Sequence, residues 1–254
     1  MIREKDIIAD LHVHTVASLH AYSTLDENLK WAKKAGMQYI AVTDHFFRPA
    51  EEIARKNELY RVRYMERNVN PHTEIKVIGS AEFNILQDTE YRDEYAFLKW
   101  RPVGLHESFV PDLGSLTYDD LLDGFREAAN WCVCFDHIER ELDRLSYGRF
   151  KNGLTDEAKA FLEKLVLLAG EKQIFLEVNE HSLEPGRQCG QFIPYWLEIA
   201  AQNGNRFCLG SDAHFCREVG RFDRSIDLLN KFGVKKSKVL NCDADEVKIW
   251  LQKD

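Results

Sequence analysis

The sequence predicts an α/β fold, a parallel barrel forming one domain over residues 1–254, and three observations carry the prediction. Seven short apolar runs, each too short for a typical helix, stop at a histidine or an acid. Stretches of helical pattern separate them, and strand–helix alternation repeated seven times implies right-handed crossovers and a parallel sheet. A length of 254 residues suits a single barrel domain. In such a barrel all seven run ends share one rim, the rim where active sites sit.

The first run, Ile7-Ile8-Ala9-Asp10-Leu11-His12-Val13-His14, ends in two histidines two residues apart. In a strand both rings leave on one face and can chelate a single ion, and Asp10 is expected on that same face. A βα loop holding His20 follows. Thr24 and Glu27 then fit a capping box, and Leu25, Leu29, Ala32 and Ala35 form a helical stripe that stops at Gly36. The second run, Tyr39 to Thr43, leads to Asp44-His45. From Glu51 to about Asn68 the pattern is charged, Arg-rich and helical; the Asn70-Pro71 turn breaks it, with His72 read as a solvated loop residue.

The third run, Ile75 to Ala81, leads to Glu82, and the acidic stretch from Asn84 to Lys99 has room for a short hairpin. Pro102 opens the fourth run, which ends at His106, and Thr117 with Asp119 and Asp120 starts a helix to about Ala129. The fifth run, Trp131 to Phe135, ends at Asp136-His137. A long charged connection from Ile138 to Gly153 is read as a solvated loop or as part of the site. Thr155 caps an amphipathic helix to about Glu171. The sixth run gives Glu177, followed by Glu180-His181 and a helix through Trp196, Ile199 and Ala200 that ends near Asn203-Gly204. The seventh gives Asp212 and His214, and two helices follow, about 223–232 and 244–251, the latter capped by Asp243.

Composition narrows the functional classes. With 44% hydrophobic and 11% aromatic residues the chain has material for a core. Its formal charge of −8 disfavours non-specific binding to nucleic acid or to an anionic membrane surface. No run approaches the roughly 18 apolar residues of a membrane span, and the first residues lack a signal-peptide core, so a cytoplasmic location is expected. The six cysteines form no C-x-x-C pair and are expected to be buried reduced thiols.

Seven of the nine histidines (His12, His14, His20, His45, His106, His137 and His214) stand at or just past run ends, together with Glu82 and Asp212. One rim histidine is unremarkable; seven would leave donors and acceptors to satisfy with no gain unless cations sit among them. Imidazole with carboxylate and no thiolate suits zinc, manganese or iron, and nine side chains are too many for one ion.

The segments Asp10-Leu11-His12-Val13-His14-Thr15, Ser18-Leu19-His20-Ala21-Tyr22-Ser23-Thr24, Thr43-Asp44-His45 and Gly210-Ser211-Asp212-Ala213-His214 resemble the PHP (polymerase and histidinol phosphatase) superfamily, in particular its stand-alone YcdX-like phosphatases. Gly79 to Ile85 and Gly104-Leu105-His106-Glu107 fit its middle motifs, so the resemblance runs nearly from end to end. It implies a distorted (β/α)7 barrel with three divalent metal ions, zinc first and manganese or iron as alternatives. All nine ligand positions are filled: His12, His14, Glu82 and Asp212 for one ion, Glu82 bridging to a second on His106 and His137, and His20, His45 and His214 for the third. Where such proteins often carry His-Pro after the fifth strand, this chain has His137-Ile138-Glu139-Arg140.

Three divalent ions against Glu82 and Asp212 leave about +4 in a small pocket, which suits phosphate. The expected reaction is hydrolysis of a small phosphomonoester by a metal-bound hydroxide, with no Ser or Cys nucleophile. Asp212, His106 and Asp10 are the catalytic candidates. Asp10, Asp44, Asp136 and Glu177 are candidates for fixing histidine tautomers. Arg140, Arg187 and Arg217, on rim loops, are candidates for gripping phosphate, each equally readable as a solvated charge. His181 either lines the mouth or faces water. The expected partner is a small phosphorylated metabolite, with no membrane; the oligomeric state is left open. The alternatives are a histidinol-phosphate phosphatase, a nuclease acting on short single strands, and a barrel that has lost catalysis. A metabolite panel separates the first, salt-sensitive single-strand binding the second, and the complete ligand set argues against the third.

Overall fold

β1 (Ala9–Val13), β2 (Tyr39–Val42) and β3 (Lys76–Gly79) pair in that order as one parallel sheet. A second parallel sheet runs β4 (Phe83–Asn84), β5 (Pro102–Gly104), β6 (Cys134–Phe135), β7 (Phe175–Asn179) and β8 (Phe207–Gly210). They belong to a computed structural model of the chain, in which residues 1–45, 60–86, 93, 95–105, 116–140, 142 and 154–252 are described.

The two sheets are parts of one barrel. Ser80 to Glu82 alone separate β3 from β4, and bridges from Ser80 to Trp100 and from His45 to Glu82 carry the pairing across the bend. On the opposite side Val13 bridges Ala213, His14 N donates to Ala213 O at 3.0 Å, and Asp212 N donates to His12 O at 2.8 Å. Lower on this seam β1 and β8 are joined through Asn241. Its Nδ2 donates to Ala9 O at 2.8 Å and Leu209 O at 2.9 Å, and its Oδ1 accepts from Leu209 N at 2.7 Å. The third run is thus one bent strand, and the fold is a distorted (β/α)7 barrel.

Helix ends follow the capping chemistry. Thr24 and Glu27 cap α1 (Leu25–Lys34) reciprocally, and Thr117 and Asp120 do the same for α2 (Tyr118–Ala128). Thr155 caps α3 (Asp156–Lys172), and Gly204, at φ 76°, ends α4 (Ile193–Asn203) in the left-handed conformation glycine tolerates. α5 (Asp223–Lys231) follows, and Asp243 Oδ1 accepts from the first N–H groups of α6 (Ala244–Gln252). Of the Arg-rich segment, 60–64 is helical and Met65–Val69 widens to a π-helix; 51–59 lie outside the described residues. Of the stretch 84–99, with room for a short hairpin, residues 87–92 and 94 lie outside the described residues; Asn84 belongs to β4, which pairs in parallel with β5.

Alternation along the strands sorts the core. Outward residues such as Ile40, Val77, Val103, Phe135, Leu176 and Leu209 pack with the helices, whereas Ala9, Leu11, Tyr39, Ala41, Ile78, Trp100, Cys134, Phe175 and Cys208 form a separate cluster on the barrel floor. All six cysteines are free thiols, five of them buried. No helix among the described residues is long and apolar enough to cross a membrane.

One local irregularity positions the site. Between β1 and β2 the register runs Ala9 to Tyr39 and Asp10 to Ile40, then jumps to Val13 opposite Val42, so Leu11 and His12 together face Ala41. This bulge breaks the two-residue period. Asp10 stays in register with the outward Ile40 and does not share the face of His12, contrary to the expectation from strict alternation.

Candidate metal centre

Eight of the nine candidate ligands converge above the floor: His12 and His14 from the end of β1, His20 from the first βα loop, His45 after β2, Glu82 in the bend before β4, His137 after β6, and Asp212 and His214 after β8. His106 lies outside the described residues. Nε2 of His12 and Nε2 of His14 are 3.1 Å apart. Asp212 Oδ1 is 3.1 Å from the latter and 3.5 Å from the former, and both nitrogens are 3.4 Å from a Glu82 oxygen. Glu82 also reaches His137 Nε2 at 2.8 Å and His45 Nδ1 at 2.9 Å. The His20 ring lies 4.8 Å from that of His45 and 4.7 Å from that of His214, with His20 Nε2 3.2 Å from His45 Nε2.

Among the described residues four groups of ligand atoms lie close enough to share an ion: His12, His14 and Asp212; His14, His45 and His214; His181, Asp212 and His214; and His12, Glu82 and Asp136. The donor set fits a divalent cation. Glu177 Oε1 lies 2.7 Å from His12 Nδ1, so that nitrogen carries a proton and donates it, and Nε2 is the nitrogen aimed into the centre. His214 Nδ1 likewise donates to the Asp212 carbonyl at 2.9 Å. Room at the centre depends on two glycines: a Cβ on Gly210 would stand 2.0 Å from Glu177 Oε1, and one on Gly104 2.0 Å from Asp136 Oδ1.

The electrostatics point the same way. Burial opposes charge on His12, yet Glu177, Glu82 and Asp212 raise its pKa well above the ordinary imidazole range. Burial pushes His14 down to about 4, with His45 adding to the fall. Burial also opposes the charge on Asp212, but Arg140, His12 and His14 hold its pKa well below that of a free carboxylate. Without a metal the cluster holds a proton at one histidine and excludes it at the next, as expected of lone pairs gathered around a site for positive charge. Asp212 itself stands at φ 53°, in the left-handed region where an aspartate is tolerated and where functional residues concentrate.

The remaining candidates separate. Asp10, fully buried, accepts from Ser211 N at 3.0 Å, Gly220 N at 2.8 Å and His12 N at 3.4 Å, so its oxygens brace backbone; burial pushes its pKa up to about 6. Arg140 enters the site, donating to Asn179 Oδ1 at 3.1 Å, Ser182 Oγ at 3.0 Å and Asp212 Oδ2 at 2.5 Å. Arg187 sits further out, against His181 and 3.6 Å from Glu184. Arg217 places its guanidinium over the rings of Trp31 and Phe215. His181 is a mouth residue, its ring 5.6 Å from that of His214, and burial pushes its pKa down to about 4. Sequence reasoning missed Ser18, Arg61 and Asn179. The one available signal was the strand-end position of Asn179, two residues past Glu177.

The PHP domain family matches residues 10–181, and the chain belongs to that family. A protein of Caldanaerobacter subterraneus named "probable phosphatase" is 29% identical over 255 residues, spanning 97% of this chain and 91% of its own. Another of the same description, from Vibrio parahaemolyticus, is 29% identical over 256 residues, spanning 92% and 89%. Among solved structures, the histidinol phosphate phosphatase of Lactococcus lactis, complexed with zinc, L-histidinol and phosphate, superposes with a TM-score of 0.61 at 16% identity, over 90% of this chain and 94% of that one. That likeness concerns the fold. Family and relatives along nearly the whole chain make this protein a phosphatase, a hydrolase.

Proposed function

We propose that the chain, acting as one domain over 1–254 in the cytoplasm, hydrolyses phosphomonoesters of small metabolites with three divalent ions, zinc first and manganese or iron as alternatives. His12, His14, His20, His45, Glu82, His106, His137, Asp212 and His214 would hold them. The observation that carries this reading is the gathering of imidazole nitrogens and carboxylate oxygens within 3.5 Å of one another, an arrangement that calls for positive charge, protons or cations, among its members. When bound, such ions supply Lewis acidity towards phosphoryl oxygens and acidify a water for attack.

The chain's own groups do the rest. Asp212 and Glu82 stay ionised to balance the ions, and Glu177 keeps the His12 proton on the outer nitrogen. Asp212 and His106 act as catalytic ligands, while Asp10 holds the Ser211 backbone beside Asp212. Arg140, steadied by Asn179 and Ser182, is poised to exchange part of its contact with Asp212 for a phosphoryl oxygen, its guanidinium fork being able to donate to two oxygens of one phosphate. Arg187 and Arg217 would meet the rest of the ester only from further out on the rim.

The test is elemental analysis of protein purified without chelator, with p-nitrophenyl phosphate turnover measured on the same sample. About three ions per chain and turnover that a chelator abolishes are expected. Fewer than two ions after reconstitution, or chelator-resistant turnover, would overturn the reading.

A further inference from the structure

Asp44, 2% exposed, lies behind the metal centre and makes four contacts. Its Oδ1 accepts from Thr15 N at 2.6 Å and Ser18 Oγ at 2.7 Å; its Oδ2 accepts from Thr15 Oγ1 at 2.7 Å and Arg61 at 2.5 Å. With a guanidinium and a backbone N–H against it, the group is a carboxylate and can only accept. The Ser18 hydroxyl must therefore give its one proton to Asp44, because two oxygens 2.7 Å apart without a proton between them repel. Ser18 Oγ is left as an acceptor. It takes the His45 backbone N–H at 3.3 Å, and His14 Nδ1 stands 2.9 Å away. A nitrogen at that distance from an oxygen with no proton left to offer must itself bring the proton.

We infer that Arg61, Asp44 and Ser18 form a positioning relay that fixes the His14 proton on Nδ1 and so keeps Nε2 open towards His12, Asp212 and Glu82. The inference rests on the metal-centre reading above and adds to it residues that touch neither ion nor substrate. Its logic differs from that of Glu177 and His12. There a carboxylate meets the ring directly, whereas here a hydroxyl lies between, and a hydroxyl can turn round. The carboxylate is what stops it turning.

This gives the relay an unusual signature. In Asp44→Ala the freed Ser18 hydroxyl can donate to His14 Nδ1, moving the ring proton to Nε2 and closing the ligand position. In Ser18→Ala nothing enforces either tautomer, and Nε2 remains available. The double variant Asp44→Ala/Ser18→Ala should therefore bind metal better than Asp44→Ala alone, which a purely structural role for Asp44 does not predict.

The experiment measures zinc affinity by chelator competition for the wild type, both single variants and the double variant. Long-range 15N–1H spectra of the metal-free proteins report the His14 tautomer. Expected are an Nδ1–H tautomer in the wild type, an affinity loss of about 100-fold for Asp44→Ala, and recovery in the double variant to the roughly 10-fold loss of Ser18→Ala. An Nε2–H tautomer in the wild type, or a double variant no better than Asp44→Ala, overturns the relay. Should Asp44→Ala not fold, Ser18→Ala decides, since an unchanged tautomer and affinity there also overturn it. A wild type that takes up no zinc would instead break the metal reading, with the wild-type spectrum still deciding the relay.

Discussion

The floor and the rim of the barrel interior are made by the same strands and hold opposite chemistry. β6 turns in Cys134 and then Asp136; β7 turns in Phe175, then Glu177, then Asn179; β8 turns in Cys208, then Gly210, then Asp212. Two residues along a strand, one repeat of its alternation, carry the interior from close-packed apolar atoms to buried charge. The floor stabilises the fold by removing Trp100, Phe175 and the paired thiols, Sγ 3.4 Å apart, from water. Most of the rim is buried as deeply, the exposed His20 and half-buried His214 excepted, yet its carboxylates and imidazoles cost stability unless each finds a proton, a donor or a cation. The contrast teaches that stability and the proposed activity would reside in adjacent layers of one barrel and should respond separately to substitution.

Asp212→Ala is the strongest test at the rim. It should lower p-nitrophenyl phosphate turnover by at least about 10³-fold and reduce the ions per chain, while leaving urea unfolding of the metal-free protein cooperative. If metal content and turnover survive, the rim is not the centre. Trp100→Ala on the floor should do the reverse. Losing a fully buried indole whose Nε1 donates to Leu11 O at 2.9 Å should cost about 3–5 kcal/mol in urea unfolding, with zinc stoichiometry of the folded fraction unchanged.

Gly210→Ala probes the boundary between the layers. The new Cβ would stand 2.4 Å from His12 Cβ and 2.0 Å from Glu177 Oε1, so Glu177 must move and release His12. Zinc affinity is expected to fall about 10–100-fold in chelator competition. An affinity equal to wild type would mean that Glu177 does not orient the ring.

Glu139 tests what buried charge costs beside the rim. Burial pushes its pKa up to about 7 from 4.5, with Ser182 and Arg140 holding the rise back. The folded state therefore binds this proton more tightly than the unfolded chain, so stability is greatest below about pH 4.5 and declines as pH rises to about 7. Glu139→Gln should remove that slope and stabilise the metal-free protein at pH 8 relative to pH 5 by on the order of 1–3 kcal/mol. Urea unfolding at the two pH values checks this, and a pH-independent difference would refute it. The smallest effect is expected from Arg217→Ala: with the guanidinium over Trp31 and Phe215, KM and turnover should change by less than about twofold.

Much of this plan is legible in the sequence because it is written in local terms. Threonine caps at 24, 117 and 155 and the apolar runs ending in His12, His45, Glu82 and Asp212 depend on neighbours within a few residues. What escaped is decided by partners far along the chain. Strict alternation put Asp10 beside His12, and the bulge at Leu11–His12, set by pairing with β2, undid it. Ser18 reads as a loop hydroxyl and Arg61 as one more charge on a polar helix until Asp44 is seen between them. Arg140, Arg187 and Arg217 look alike as rim arginines; only Asp212, His181 and Trp31 tell them apart.

The seam at Asn241 bears on how the molecule comes into being. Its carboxamide stands in for missing strand pairing, holding Ala9 at a separation of 232 residues. During synthesis at ~5–20 residues per second, β1 emerges with one edge open and waits on the order of 10–50 s before the segment that completes its lower seam exists. His12 and His14 are made early, but their neighbours Asp212 and His214 arrive only after most of the chain has been translated. Filling of the proposed metal centre would thereby be a late event, coupled to barrel closure, and a nascent chain stalled before β8 would offer a divalent cation only part of a site.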